Sequence, residues 1–292
     1  MNLDKSSVEK SYMSATNLKM IVSDLDGTLL GPDHRISDQD YQLLQWLGTK
    51  KIYRVVATGR SVYSTNKVLP PDFPIDYLIF SSGAGVMDWT SRVIIFQRSF
   101  TEAETAFIAE FLIQSKLDFM VQLPIPDNHY CFYLASGIRD NPDFWRRIAN
   151  YRPFAAPLIQ PPHALGQSSQ FVVIIPDDVA IYDQIKAQLP QFSVIRATSP
   201  LDGQSIWVEI FPHLVSKATA AGWLCERLNC PREAVLGIGN DYNDLDLLNW
   251  AGCGYVVDNA PVELKHRFWR TASNADSGFS HAVRQSFRHL FD

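Results

Sequence analysis

The sequence predicts an α/β fold, a parallel-sheet core interrupted by an inserted α+β domain. Three observations lead there. Short apolar runs recur, each ending in small or polar residues, with amphipathic stretches between them. The middle of the chain instead carries closely spaced strand-like runs that read as hairpins. The strand–helix alternation then resumes near residue 216.

In order along the chain, residues 1–16 contain no apolar stretch and read as a flexible polar tail rather than a signal peptide. The apolar run 18–22 is a buried strand. Ser37 is an N-cap for an amphipathic helix over 38–49 that carries Leu43, Leu44, Trp46 and Leu47. A strand at 52–57 leads into Thr58-Gly59-Arg60 and a helix over 61–69. A third strand, 77–80, ends in Ser81-Ser82-Gly83-Ala84-Gly85. Strand, helix, strand, helix, strand is the signature of a parallel sheet with right-handed crossovers, and ligands gather at the carboxyl ends of such strands.

The middle segment shows strands at 93–96, 119–123 and 130–134, with a helix over 102–114. Strands at 171–175 and 192–195 flank a helix at 179–189, and a strand at 205–210 follows. The Pro-rich stretch 151–166 reads as a connection without an element of its own. This places the inserted domain at 84–211. A helix over 216–228, a strand at 235–238, a helix over 245–251, a strand at 255–257 and a helix opened by Asn259-Ala260-Pro261 complete the core, 17–83 plus 212–292.

Composition narrows the function. With 46% apolar and 20% charged residues the 292-residue chain is ordinary globular protein, not a disordered one. A net charge of −5 offers no basic surplus for nucleic acid or anionic lipid. The apolar runs fall short of the ~20 residues that span a bilayer. Four cysteines are too sparse for a secreted disulfide framework, and no second close pair joins Cys225 and Cys230 in a four-ligand metal site. A cytoplasmic protein is expected, with neither nucleic acid nor membrane as partner. No oligomeric state is read from the sequence.

The densest chemistry is Asp24-Leu25-Asp26-Gly27-Thr28-Leu29, directly after the first strand. Carboxylates at i and i+2 leave an extended strand on the same side. At close range both are ionised only with a cation between them. Mg²⁺ prefers such hard oxygen ligands and keeps positions open for a substrate phosphate. One carboxylate is then free to act as nucleophile and the other as general acid. Thr58 offers a hydroxyl to a phosphoryl oxygen, with a plain strand-to-helix turn as the alternative, and Lys217, at a helix start, offers positive charge to a dianionic group, with a solvated surface lysine as the alternative. Gly239-Asn240-Asp241-Tyr242-Asn243-Asp244 gathers oxygen side chains between a strand and a helix, where a turn built on Asx caps is the alternative reading.

Together these runs resemble the haloacid dehalogenase superfamily of phosphohydrolases, in its Cof-type branch. The resemblance is carried by Asp24-x-Asp26-Gly27-Thr28-Leu29-Leu30, Thr58-Gly59-Arg60, Val215-Ser216-Lys217 and the run from Gly239 to Asp244. Weaker echoes are Ile36-Ser37, Glu209-Ile210 and Asn259-Ala260. The resemblance implies a Rossmann-like core with an α/β cap where the inserted domain falls. It implies a Mg²⁺-dependent phosphatase of a small phosphorylated metabolite, a sugar phosphate first, working through an aspartyl-phosphate. Asp24 would be the nucleophile and Asp26 the acid and base. The metal would be held by the Asp24 side chain, the Asp26 carbonyl and Asn240, with Asp244 supporting from behind. Thr58, Gly59, Lys217 and Asn243 match phosphate-binding positions.

The sequence departs from the family pattern at three places. Ser82 precedes Gly83-Ala84 where Asn is frequent, Ala218 follows the lysine in place of Gly, and Asn240 replaces a carboxylate. The last leaves Asn240 and Asp241 as rival metal ligands. Rival functions are a phosphomutase, which returns the phosphoryl group to substrate, and a non-enzymatic sensor, which needs no nucleophile and acid together. The polar and aromatic stretch 122–133 is a candidate for substrate selection, with an ordinary surface hairpin loop as the alternative.

Overall fold

Residues 18–138 and 140–287 are described by a computed structural model; the polar tail expected at 1–16 lies outside them. The first element of the described residues is β1 (Met20–Ser23), whose four residues are all buried because parallel strands flank it on both sides. Helix α1 (Asp38–Thr49) follows its expected bounds, with the Asp40 N–H donating to the Ser37 hydroxyl at its start. After β2 (Tyr53–Ala57) comes α2 (Val62–Thr65). The helix expected over 61–69 is thus a single turn. Its continuation breaks into turns ahead of Pro70-Pro71, which disfavour helical backbone before them.

Strands β3 (Tyr77–Phe80), β4 (Gly85–Asp88) and β5 (Val93–Gln97) form an antiparallel meander on the edge of the core sheet. The strand expected at 93–96 within the inserted domain is β5, and it pairs with the core instead. Periodicity marks a strand but not its neighbour, and the tight turn after Asp88 returns β5 onto β4.

The second sheet contains β6 (Phe119–Gln122), β7 (Cys131–Leu134), β8 (Ala155–Pro157), β9 (Gln170–Ile175), β10 (Ser193–Thr198) and β11 (Ile206–Phe211), in the order β10-β11-β9-β6-β7-β8. β8 and a 3₁₀ turn at Pro162–Ala164 lie within 151–166, which was expected to hold no element. The proline in β8 fits because the strand is at the sheet edge. Helices α3 (Glu102–Gln114) and α5 (Val179–Gln188) cover one face, their Ile108 and Ile185 packing on Phe119, Val121, Phe171 and Val173. Helix α4 (Pro142–Asn150) covers part of the other, where Phe144 and Ile148 meet Met120, Val172 and Ile174. Along β9 the two sets alternate, as the strand period of two requires.

Helix α6 (Lys217–Leu228) returns the chain to the core. There β12 (Val235–Gly239), α7 (Leu245–Trp250), β13 (Cys253–Val256), α8 (Val262–Arg267), β14 (Trp269–Arg270) and α9 (Gly278–Ser286) complete the first sheet. Its order is β14-β13-β12-β1-β2-β3-β4-β5, with every pair from β14 to β3 parallel. A Rossmann-like α/β core carrying an inserted cap is therefore the architecture. Among the described residues, no helix is long and apolar enough to cross a membrane, and none of the four cysteines forms a disulfide.

Candidate active site

The loops that follow β1, β2 and β12, together with the start of α6, meet at the carboxyl end of the parallel sheet. They face the cap across a cavity of about 930 Å³. Two close approaches fix this junction. Gly83 takes φ +104°, and a Cβ there would lie 2.1 Å from the Ser216 carbonyl oxygen, so only glycine lets the β3 turn sit against the start of α6. Gly27, at φ +74°, similarly makes room for the Asn240 amide, which a Cβ would meet at 2.6 Å.

Asp24 leaves β1 with its backbone N–H donating to the Ile238 carbonyl of β12. Its side chain is 7% exposed. Lys217, 1% exposed, donates from Nζ to Asp24 Oδ1 and to Asp244 Oδ1, both at 2.6 Å. Burial, then the negative charge of Asp244, push the Asp24 carboxyl up to about 7, against the pull of Lys217. Burial alone would lower the Lys217 ammonium, but its two carboxylate neighbours raise it above the ordinary lysine range. Two buried carboxylates share one ammonium, so this cluster carries surplus negative charge unless it takes up a proton or a cation.

Asp26 points the other way, to the cavity mouth, where Arg60 Nε and Nη2 each donate to one of its carboxylate oxygens at 2.7 Å. His34 Nδ1 stands 3.9 Å from the same carboxylate. Thr58 is buried, and its Oγ1 accepts from the Arg60 N–H at 3.1 Å, which leaves the hydroxyl proton free to face the cavity. Gly59 and Asn243 also line the cavity. Lys217 stands behind Asp24 and reaches the site through it rather than along the wall.

The loop after β12 divides its side chains. Asp244 is fully buried, and its Oδ2 accepts from the backbone N–H groups of Asn240 and Asp241 at 2.8 and 3.1 Å. It braces the loop and Lys217 together. Asp241 turns to the cap, where Thr198 donates to it from its N–H (2.7 Å) and its hydroxyl (2.9 Å). Asn240 turns inward. One terminal atom of its amide lies 3.1 Å from each of Asp24 Oδ2, the Asp26 carbonyl oxygen and Thr28 Oγ1. As NH₂, with two protons, it donates to the Asp24 carboxylate and the Asp26 carbonyl. The amide oxygen fits the same place only with a cation among these oxygens.

Several residues of the site were not singled out from the sequence. Arg60 belonged to a run that was recognised, but its grip on Asp26 spans 34 positions. Ser82 donates to the buried Glu209 carboxylate at 2.8 Å, and Gln170 donates to its other oxygen at 3.1 Å. Burial raises the Glu209 carboxyl, against these hydrogen bonds and the charge of Arg147. Arg147 itself lies on α4, whose start signal, Asn141 as N-cap before Pro142, was legible but unread. Of the stretch 122–133, the residues Gln122, Asn128, His129 and Cys131 line the cavity.

The haloacid dehalogenase-like hydrolase family matches residues 21–283. The chain belongs to that family. It is 24% identical to the 5-amino-6-(5-phospho-D-ribitylamino)uracil phosphatase YcsE of Bacillus subtilis, over 92% of this chain and 95% of that one. It is 25% identical to the HMP-PP phosphatase of Klebsiella pneumoniae, over 85% and 86%. Among solved structures, the haloalkanoate-superfamily phosphatase BT1666 of Bacteroides thetaiotaomicron superposes with a TM-score of 0.76 at 19% identity, over 98% of both chains. This membership makes the protein a hydrolytic enzyme with a cap over its active site.

Proposed function

We propose that this member of the family is a Cof-type phosphatase that hydrolyses the phosphate monoester of a small metabolite through Asp24. The observation that carries the reading is the placement of Asp24. It is a buried carboxylate at the end of β1, paired with Lys217 at 2.6 Å and opening on a cavity. A second carboxylate, Asp26, stands at the cavity mouth. A sensor of phosphometabolites would need only the cations and hydroxyls.

In this reading an Asp24 oxygen attacks phosphorus, the bond from phosphorus to the ester oxygen breaks, and an aspartyl-phosphate forms. Asp26 gives a proton to the departing oxygen, then takes one from the water that attacks the aspartyl-phosphate and returns Asp24 as carboxylate. Lys217 balances charge behind Asp24, and the Thr58 hydroxyl donates to a phosphoryl oxygen. Arg60 takes one acceptor position on each Asp26 oxygen, which leaves the second position of each for the transferred proton.

Among the described residues no three His, Cys, Asp or Glu side chains converge on one metal position. The oxygens that do converge are mixed: the Asp24 carboxylate, the Asp26 carbonyl and the Asn240 amide. They are hard ligands beside surplus negative charge, and they fit Mg²⁺. Bound there, Mg²⁺ would supply positive charge to the nucleophile and the phosphoryl oxygens. Asn240 brings no charge of its own, so the site keeps one negative charge fewer than a carboxylate at that position would give.

Assay of phosphate release across a panel of phosphorylated metabolites, with Mg²⁺ and with chelator, tests the reading. Mg²⁺-dependent release from at least one ester is expected. Transfer to a sugar acceptor in place of release would point to a mutase, and binding without turnover to a sensor.

A further inference from the structure

The cap wall of the cavity presents a guanidinium that no hydrogen-bond acceptor of the described residues engages. Arg147 extends from α4 into the cavity, its guanidinium 4.3 Å over the Trp207 ring and 5.0 Å from the Tyr151 ring. Trp207 is itself held in place, its indole N–H donating to Asp143 Oδ2 at 2.7 Å. Among the described residues the guanidinium makes no hydrogen bond and no ion pair, and its Nε is buried without an acceptor. Of the other long cations on the cavity wall, Arg60 is paired with Asp26, and Lys67, over the Tyr63 ring, is a point charge without the planar fork. Glu209, the buried carboxyl on the cap side, is taken by Ser82 and Gln170.

A guanidinium stacked on an aromatic face has its edge N–H groups free and fixed in one plane, the arrangement that receives two oxygens of a carboxylate or phosphate. Elsewhere the wall carries Asp24, Asp26, Asp241 and Glu209, so a second anion on the substrate is repelled from most of the cavity and accepted at Arg147. Gln122 Oε1 and Asn128 Oδ1, also buried without donors, are free to accept from hydroxyls on the same ligand.

We propose that Arg147 anchors a second oxyanion, so that the preferred substrate is a phosphate monoester whose leaving group carries a carboxylate or another phosphate at its far end. This rests on the phosphatase reading of the Asp24 end of the cavity. It adds a subsite on α4 and a substrate class defined by charge at both ends.

The test compares glucose 6-phosphate, 6-phosphogluconate and glucose 1,6-bisphosphate, which share the scissile ester and differ at the opposite end. For the unmutated protein, kcat/KM for at least one of the two doubly anionic esters should exceed that for glucose 6-phosphate by roughly 10- to 100-fold. Whichever of the two wins identifies the carboxylate or the phosphate as the group recognised. Arg147→Gln should erase the preference, and Arg147→Lys, a point charge without the planar fork, should keep part of it. Three esters within about threefold of each other in the unmutated protein would overturn the proposal. So would an Arg147→Gln variant that lowers all three alike. Calorimetric Kd values for the same esters separate this from the phosphatase reading. If neither these esters nor p-nitrophenyl phosphate is hydrolysed, the phosphatase reading fails. A Kd preference for the doubly anionic esters, lost in Arg147→Gln, would then still establish the subsite, and equal Kd values would refute it.

Discussion

Arg60 holds both carboxylate oxygens of Asp26, through Nε and Nη2 at 2.7 Å each. Its Nη1 in turn donates to Ser64 Oγ at 3.1 Å, which anchors the guanidinium to α2. Burial alone would lower Arg60, but the bonds to Asp26 raise it. Arg60 therefore sets where the acid stands. Arg60→Ala should impair poor leaving groups most, costing alkyl phosphates on the order of 10²-fold in kcat/KM and p-nitrophenyl phosphate much less. Asp26→Asn should show the same asymmetry. Equal losses on alkyl and aryl esters in Arg60→Ala would mean that Arg60 serves something other than the acid.

Asp24→Asn keeps an oxygen for the Lys217 bond but lacks the nucleophilic carboxylate. Turnover should fall by on the order of 10⁴-fold or more while the thermal transition stays cooperative. Acid-quenched unmutated enzyme should carry a phosphoryl mass increment on the peptide containing Asp24, and the variant should not. Turnover by the variant within about tenfold of the unmutated rate would remove Asp24 from the role.

The loop after β12 separates two tasks between neighbours. Asn240→Ala should weaken Mg²⁺ affinity by roughly 10- to 100-fold, read from activity against Mg²⁺ concentration and from calorimetry of Mg²⁺ alone. Asp241→Ala loses the bonds to Thr198 and should act on KM, with the Mg²⁺ midpoint little changed. A larger Mg²⁺ effect at position 241 would reverse the assignment. Asn240→Asp, which adds a charge among the same oxygens, should tighten Mg²⁺ binding.

Glu209 provides a pH signature in stability. Its folded pKa is raised above the ordinary glutamate value, chiefly by burial. Its favourable share is thus complete below about pH 4.5 and lost as pH climbs through the folded value. At neutral pH the buried charge opposes folding. Glu209→Gln should gain on the unmutated protein between pH 5 and pH 8, measured by denaturant midpoints in chelator. An advantage that is flat or shrinks with pH would contradict the burial argument.

The parallel core was readable because β1, β2, β3, β12 and β13 are short apolar runs that end in polar clusters, and buried strands leave that trace. Helices α1 and α3 kept their expected bounds because Ser37 and Thr101 cap them, the latter in a reciprocal box with Glu104. The same reading placed Asp24, Asp26, Thr58 and Asn240 on loops and Lys217 at a helix start, and the fold brings these to one end of one sheet. It did not foresee which sheet β5 joins, since a strand's alternation is indifferent to its partner. Helix α4 was legible too, since Asn141-Pro142 announces it and Phe144 and Ile148 stand four apart on one face, but at nine residues it is short beside the Pro-rich stretch that follows. Asp241 on Thr198, Glu209 on Ser82 and Arg147 over Trp207 join residues 43 or more positions apart, and no local pattern encodes such pairings.

Helix α4 has a second significance. It is held to its sheet by Phe144 and Ile148, and it offers the cavity Arg147 and Asn150. A nine-residue segment between Pro142 and Tyr151 is in effect an exchangeable cassette. On the Arg147 proposal, drift at Arg147 and Asn150 should redraw the range of acceptable esters and leave the proposed bond-breaking residues of the core as they are. Two descendants of one ancestor can part in diet long before they part in chemistry. Substrate range across such a lineage should follow the α4 sequence more closely than overall identity.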